Sequence, residues 1–156
     1  MRFSHQVHYA IYGVFDLAYN GRGESVQVRI ISERQSIPTR YLEQIFQRLR
    51  RASIVRGKRG PGGGYQLTRE PEEITLRQIV EAVEGPVGGS AGPSGPPGEE
   101  PVAEESGAAG RPEFVWSLLT ERVGALLDEL TLAEICRIAS SQGVPRAGSE
   151  GHDYQI

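Results

Sequence analysis

The sequence predicts a mainly α fold carrying one small β-hairpin, and three observations predict it. Apolar residues recur at helical spacing through most of the chain. One glycine-rich run, Arg59-Gly60-Pro61-Gly62-Gly63-Gly64-Tyr65, interrupts them between two short apolar segments. The charge is also segregated. Arg29 to Tyr65 holds nine Lys or Arg side chains and two acids; residues 1 to 84 are +4 from thirteen bases and nine acids, and residues 85 to 156 are −7 from four and eleven. A polyanion would therefore meet the first part, although the whole chain carries −3.

From His5 to Asn20, Val7, Ala10, Ile11, Val14, Phe15, Leu17 and Ala18 form one helical face, with Ser4 placed to cap it and Asn20-Gly21 to end it. A short helix over Val28 to Arg34 follows, then a turn at Gln35-Ser36 and a third helix from Pro38 to Ala52. Proline is tolerated at that start because its missing N–H would be unpaired there anyway. Leu42, Ile45, Phe46 and Leu49 make the buried stripe of this helix, and Thr39, Arg40, Gln44, Gln47, Arg48 and Arg51 lie opposite. Two short helices joined by a tight turn, the second basic on its outer face, are the layout of a helix-turn-helix with a recognition helix. Ile54-Val55 and Tyr65 to Leu67 flank the loop from Gly57 to Gly64, a two-stranded hairpin whose glycine-rich tip can lie close against another surface. Thr75 and Gln78 have capping-box spacing ahead of Leu76, Ile79, Val80 and Val83, a helix that ends near Gly85-Pro86. Helix-turn-helix and hairpin together make a winged helix. Lys58 and Arg59 on its wing would put cations where the minor groove of duplex DNA is most negative.

Residues 85 to 112 hold eight glycines, six prolines and no aromatic residue, a composition expected to stay mobile because it cannot offset its ordering entropy. Phe114, Leu118, Leu119, Val123, Leu126, Leu127 and Leu130 then mark a long apolar-faced helix, and Thr131 and Glu134 cap a short one over Leu132 to Ala139. The leucine face either folds back on its own domain or pairs with a second chain. Pairing is the expectation, since two-fold readers of DNA need a dimer and the face is wide.

A chain of 156 residues with 38% apolar content buries one core plus accessories. Cys136 is the only cysteine, which excludes an intramolecular disulfide framework and any site needing several thiolates from one chain. No apolar run of about 18 residues and no leader pattern is present, so a soluble, cytoplasmic protein without membrane contact is expected. The glycine loop is no phosphate cradle: it lacks the Gly-Lys-Ser/Thr ending, and Tyr65 stands where a third glycine would be. His5 and His8, three apart on one helix, lack a third nearby ligand, with Cys136 and His152 only distant candidates. Cys136 shares a helical face with Leu132, Ile135 and Ala139 and reads as a small buried hydrophobe. No grouping of side chains suggests catalysis. Glu43, an acid among cations, either accepts from cytosine N4 or pairs within its helix.

Met1-Arg2-Phe3-Ser4, Tyr9-Ala10, Tyr41-Leu42-Glu43-Gln44, Leu49-Arg50-Arg51-Ala52, the run Arg59 to Leu67, Ile74-Thr75-Leu76 and Val83-Glu84-Gly85-Pro86 resemble the Rrf-two (Rrf2) family of bacterial winged-helix transcription regulators. The resemblance is dense over residues 1 to 86 and covers Phe114 to Ala139 by pattern. It implies a homodimer, a dimerisation helix at Phe114 to Leu130, Thr39, Glu43 and Gln44 facing bases, and Arg59 and Gly60 entering the minor groove. Arg40 and Arg48 join as phosphate contacts on charge alone. Cluster-bearing members carry three cysteines after the Glu-Gly-Pro segment; residues 87 to 113 here contain none, so no iron-sulfur cluster and no other cofactor is expected. His8, near a position that can supply a fourth ligand, then has nothing to complete. The chain is thus similar to the cluster-free, CymR-like branch, where a regulatory protein partner is the analogy for control. Ser53 replaces a customary glycine at the end of the recognition helix and would strain that turn.

The expectation is a DNA-binding repressor, not an enzyme. Residues 1–86 form the winged-helix domain, 87–113 a flexible linker, 114–139 the dimerisation helix and its short successor, and 140–156 a disordered tail. The alternatives are a metal or redox sensor using His5, His8 or Cys136, and a protein-binding adaptor that has lost DNA binding.

Overall fold

The computed structural model describes residues 2–88, 112 and 114–148. Helix α1 (His5–Gly21) starts as expected, with the Ser4 hydroxyl accepting the Val7 N–H at 3.3 Å. It runs through Asn20-Gly21 and stops at Arg22, whose left-handed φ of 50° ends the turn. Helices α2 (Val28–Gln35) and α3 (Thr39–Arg51) follow, then strands β1 (Val55–Lys58) and β2 (Gly64–Leu67), antiparallel with Val55 opposite Leu67 and Lys58 opposite Gly64. A single 3-10 turn at Pro71–Glu73, boxed by Glu70 and Glu73, precedes α4 (Leu76–Glu84) and has no periodic signal in the sequence. Thr75 and Gln78 close the capping box of α4.

Helix α1 is the central element, in contact with α2, α3, α4, β2 and the last helix of the chain. Val7, Ala10, Val14 and Leu17 are buried among Ile31, Leu42, Phe46, Leu49, Ile79 and Val83. Gly13 lets α1 lie close on α3, since a Cβ there would meet the Phe46 ring at 2.8 Å. Because α1 is covered on most sides, it also buries polar groups. Asp16 is fully buried and accepts from Arg34 at 2.6 Å, Gln35 at 2.9 Å and Asn20 at 3.1 Å, so the last turn of α2 is tied to the middle of α1.

Helices α5 (Phe114–Glu129) and α6 (Leu132–Ser141) belong to the same body. Thr75 and Thr131, the caps of α4 and α6, sit opposite each other in an antiparallel bridge: Leu76 N–H donates to the Leu130 carbonyl at 2.9 Å and Leu132 N–H to the Ile74 carbonyl at 2.8 Å. Leu132 and Leu127 enter the core, Val123 packs against it, and Arg77 pairs with Asp128 at 2.9 Å. This corrects the expected dimerisation face at Val123 and Leu127, which are used within the chain because helical geometry turns them toward α4. Phe114, Leu118, Leu119, Leu126 and Leu130 stay exposed.

The expected linker lies outside the described residues at 89–111 and 113. Its first residue is docked, with the Val87 N–H donating to Glu81 at 3.0 Å. The expected disordered tail is also corrected over 140–148. Ser140 and Ser141 complete α6, and the following residues return to α1, where Tyr19 Oη donates to the Val144 carbonyl at 2.8 Å and the Ala147 N–H to Asn20 at 2.8 Å. Residues 149–156 are outside the described part. Among the described residues no helix is long and apolar enough to cross a membrane.

Removing Arg34 leaves a buried carboxylate short of its cation. Arg34→Ala should cost about 3 kcal/mol in denaturant unfolding, whereas Arg29→Ala, which breaks only the exposed pair with Glu33, should cost under about 1 kcal/mol.

Candidate nucleic-acid interface

The turn between α2 and α3 is built by Ser32 and Ser36. Ser36 takes a left-handed φ of 53°, and the Ile37 N–H donates to the Ser32 carbonyl at 3.0 Å. The buried Ser32 hydroxyl donates to the Ile37 carbonyl at 2.7 Å and lies 2.7 Å from the Thr39 hydroxyl. With the Ser32 proton committed, Thr39 is the donor in that pair, so its free lone pairs accept. Thr39, half-buried at the first turn of α3, can then meet a base amino group but offers it no proton.

Arg40, Glu43 and Gln44 are exposed, and so are Gln47 and Arg51 on the next turns, which the sequence-based set of contacts left out. Glu43 pairs with none of the described residues, which removes the reading of an intrahelical ion pair. Arg48 departs from its expected place among phosphate contacts. Its guanidinium donates to the Gln6 side chain and, at 3.0 Å, to the Val83 carbonyl. That carbonyl is one of the orphans at the C-terminus of α4, so Arg48 braces α3 against α1 and α4.

At its other end α3 closes in a Schellman motif: Ile54 N–H donates to the Leu49 carbonyl and Ser53 N–H to the Arg50 carbonyl, both at 3.0 Å. The motif needs a left-handed residue, and Ser53 supplies it at φ 58°. The strain expected from the missing glycine is therefore present, at a cost of roughly 1 kcal/mol. Thr68 Oγ1 donates to the Ser53 and Ile54 carbonyls and holds the turn to the hairpin.

The hairpin is anchored beyond its own two strands. Val26 and Tyr65 exchange both backbone hydrogen bonds at 2.8 Å, the Ser25 hydroxyl donates to the Gly62 carbonyl at 2.7 Å, and the Tyr65 ring lies 5.0 Å from that of Phe46 on α3. This third, single-bridge strand at Val26 was not legible, because one residue carries no alternation. Lys58, Arg59 and Gly60 are exposed at the tip, together with Arg56 on β1, another residue outside the expected set. Gly60 and Gly62 have φ of 90° and 72°, and a side chain at Gly63 would meet the Gly60 carbonyl at 2.7 Å.

Arg40, Arg50, Arg51, Arg56, Lys58 and Arg59 take part in none of the ion pairs among the described residues, as is also true of Arg2, Arg22, Arg69 and Arg122 elsewhere. What sets this face apart is that six such cations lie on one helix and the hairpin that follows it. A helix face and a hairpin tip thus present uncompensated positive charge side by side, with Gln44, Gln47, Thr39 and Glu43 available to read base edges.

Histidines His5 and His8 stand exposed on α1 with ring centroids 6.2 Å apart. Cys136 is half-buried on α6, and burial pushes its thiol above the ordinary range against the opposing effect of Arg146. Among the described residues no three His, Cys, Asp or Glu side chains come together to hold a metal ion.

The Rrf2 family model, described as an iron-dependent transcriptional regulator, matches residues 3–138. The chain is 34% identical over 137 residues to the HTH-type transcriptional regulator IscR of Serratia proteamaculans, a match spanning 86% of this chain and 79% of that one. Among solved structures, IscR of T. potens superposes with a TM-score of 0.69 at 31% identity, covering 94% of this chain and 93% of the other. CymR, the global cysteine regulator of B. subtilis, superposes with a TM-score of 0.66 at 28% identity, covering 88% and 98%. The resemblance read from the Tyr41 to Tyr65 run and the winged-helix architecture agree with these matches. The family description names iron, and the donor set here does not fit a cysteine-ligated cluster, because the chain has one cysteine and such clusters need several thiolates.

Gly64 is where wing and body touch most closely: at φ 145° its Cβ position falls against the Val26 backbone. Gly64→Ala should detach the hairpin and lower stability by well over about 1 kcal/mol. Gly60→Ala, where nothing lies within 4 Å, should cost only the left-handed strain. Thermal unfolding and amide exchange at Tyr65 measure both.

Proposed function

The chain belongs to the Rrf2 family of transcriptional regulators, and from that premise we propose that it is a cytoplasmic homodimer that represses transcription at a partly palindromic operator. It catalyses no reaction. The observation that carries this reading is the unpaired cationic face shared by α3 and the hairpin, fixed as one body by Phe46 and Tyr65. Thr39, Glu43, Gln44 and Gln47 read bases, Arg40 and Arg51 hold phosphates, and Lys58, Arg59 and Gly60 enter the minor groove. Control is cluster-free and runs through a protein partner or a small effector, supported by the single cysteine.

Dimerisation uses the outward stripe of α5. Phe114, Trp116 and Leu126 are 69%, 65% and 62% exposed, and Leu118 and Leu119 lie beside them. A patch of this kind on one helix marks a protein contact. Trp116, absent from the expected face, shares the helical side of Val123 and Leu127 yet is exposed, so it adds apolar surface at the N-terminal end of α5.

Binding of promoter DNA should weaken steeply between about 50 and 200 mM salt, and Arg59→Ala and Arg40→Ala should each lower affinity and flatten the slope by about 1. The purified protein should be colourless and keep that affinity after chelation. Salt-independent binding would favour the adaptor reading, and a visible charge-transfer band or a metal-reversible loss the sensor. The double variant Leu119→Glu, Leu126→Glu should sediment as a monomer, unfold cooperatively at a midpoint that no longer depends on protein concentration, and bind operator much more weakly; a persisting dimer places the interface elsewhere.

A further inference from the structure

The segment after α6 does more than cover apolar surface. Helix α1 has no basic residue within its last turn, only Arg22 at the C-cap, and a further cation is favoured beside its terminal carbonyls. Arg146 supplies it from 127 residues away in sequence: its Nη1 donates to the Tyr19 carbonyl at 3.1 Å, and its guanidinium lies 4.3 Å over the Tyr19 ring. Tyr19 is buried, stacked on Phe15 at 4.9 Å, and its hydroxyl reaches the Val144 carbonyl at 2.8 Å. One residue on, Asn20 holds both sides. Its carbonyl oxygen accepts from the Ala147 N–H at 2.8 Å, and its amide donates to Asp16 at 3.1 Å, the carboxylate that fixes Arg34 and Gln35 at the end of α2.

We propose that residues 142–148 form a strap that sets the pose of the helix-turn-helix through Asn20 and Asp16, which makes Arg146 and Asn20 positioning residues for DNA binding. The inference rests on the DNA-binding reading above. Its physical content is an ordered chain of hydrogen bonds. With the strap docked, the Asn20 amide has one orientation, NH2 toward Asp16, and the carboxylate keeps its third donor. With the strap released, water reaches this edge of the cluster, and α2, with the turn that launches α3, gains freedom. The binding-competent fraction then falls, and apparent affinity falls with it. Because the strap is on α1 and not on the cationic face, it changes affinity without changing the number of phosphates neutralised.

The Asn20 side-chain amide gives a native reporter, because it donates to Asp16 on one side and its oxygen accepts from the Ala147 N–H on the other. In the full-length protein, Arg146→Ala should speed hydrogen exchange of the Asn20 side-chain amide and weaken DNA binding about threefold to tenfold at unchanged salt slope. Arg146→Lys should restore both. A chain ending at Gly143 should match Arg146→Ala, and one ending at Gly148 the full-length protein. Faster exchange with unaltered affinity overturns the proposal, as does a lowered slope, which would put Arg146 on the DNA. Unchanged exchange in both Arg146→Ala and the chain ending at Gly143 shows that no strap was docked. Failure of the wild-type protein to bind DNA in a salt-dependent way is a different result and removes the parent reading instead.

Discussion

A buried carboxylate organises this fold. Asp16 has no exposure to water and three donors, two of them from the last turn of α2. Such a group is tolerated only when its charge and lone pairs are met, so the chain must bring Arg34, Gln35 and Asn20 to one point. That requirement fixes α2 across α1, and the left-handed Ser36 then gives α3 only one direction in which to leave. The pose of the recognition helix thus follows from an ion pair on its far side. Apolar packing supplies most of the stability, but it does not specify the pose so narrowly, because aliphatic contacts are not directional.

The second constraint makes helix and hairpin one reading head. Tyr65 is on the hairpin and Phe46 is under α3, and their rings meet, while Val26 pairs with Tyr65 from the segment before α2. A two-stranded hairpin alone is marginal in water. Here its base is held by Phe46 on one side and Val26 on the other, Ser25 ties down Gly62, and the exposed stretch from Lys58 to Pro61 is left to adapt. The close backbone approach at Gly64 explains why one glycine belongs to the base, while Gly60 and Gly62 supply the positive φ angles of the turn.

Periodicity made the helices legible, and charge with glycine made the cationic face legible. The stripe Leu42, Ile45, Phe46 and Leu49 is buried as its spacing requires, and Arg40, Gln44, Lys58 and Arg59 are exposed as theirs requires. Other features were hidden for identifiable reasons. Asp16 is the only acid before Glu24, yet an amphipathic reading assigns α1 a solvent side that the completed fold covers with other elements. Arg48 has the composition of a phosphate contact, and only the arrival of Val83 in space reveals an unpaired carbonyl for it to cap. Leu127 and Leu126 are adjacent and equally apolar, so no one-dimensional pattern says which turns inward and which outward. The strap is hidden most completely, because it consists of backbone groups and one arginine in a polar tail.

Helix α5 carries both demands at once. Its inner side closes the core through Val123 and Leu127, and its outer stripe is free for a second copy. In the proposed dimer the two-fold axis would therefore be welded to each domain. From α5 the connection runs through Arg77–Asp128 and the Thr75–Thr131 bridge to α4, and from the Val83 carbonyl through Arg48 to α3. Each link is a hydrogen-bonded or packed contact with no hinge residue between. Recognition helices mounted in this way keep a fixed separation and demand a fixed half-site spacing. An effector acting on such a molecule gains little by bending the dimer. It gains more by altering how firmly α2 is held, which is decided at the cluster of Asp16, Arg34 and Asn20.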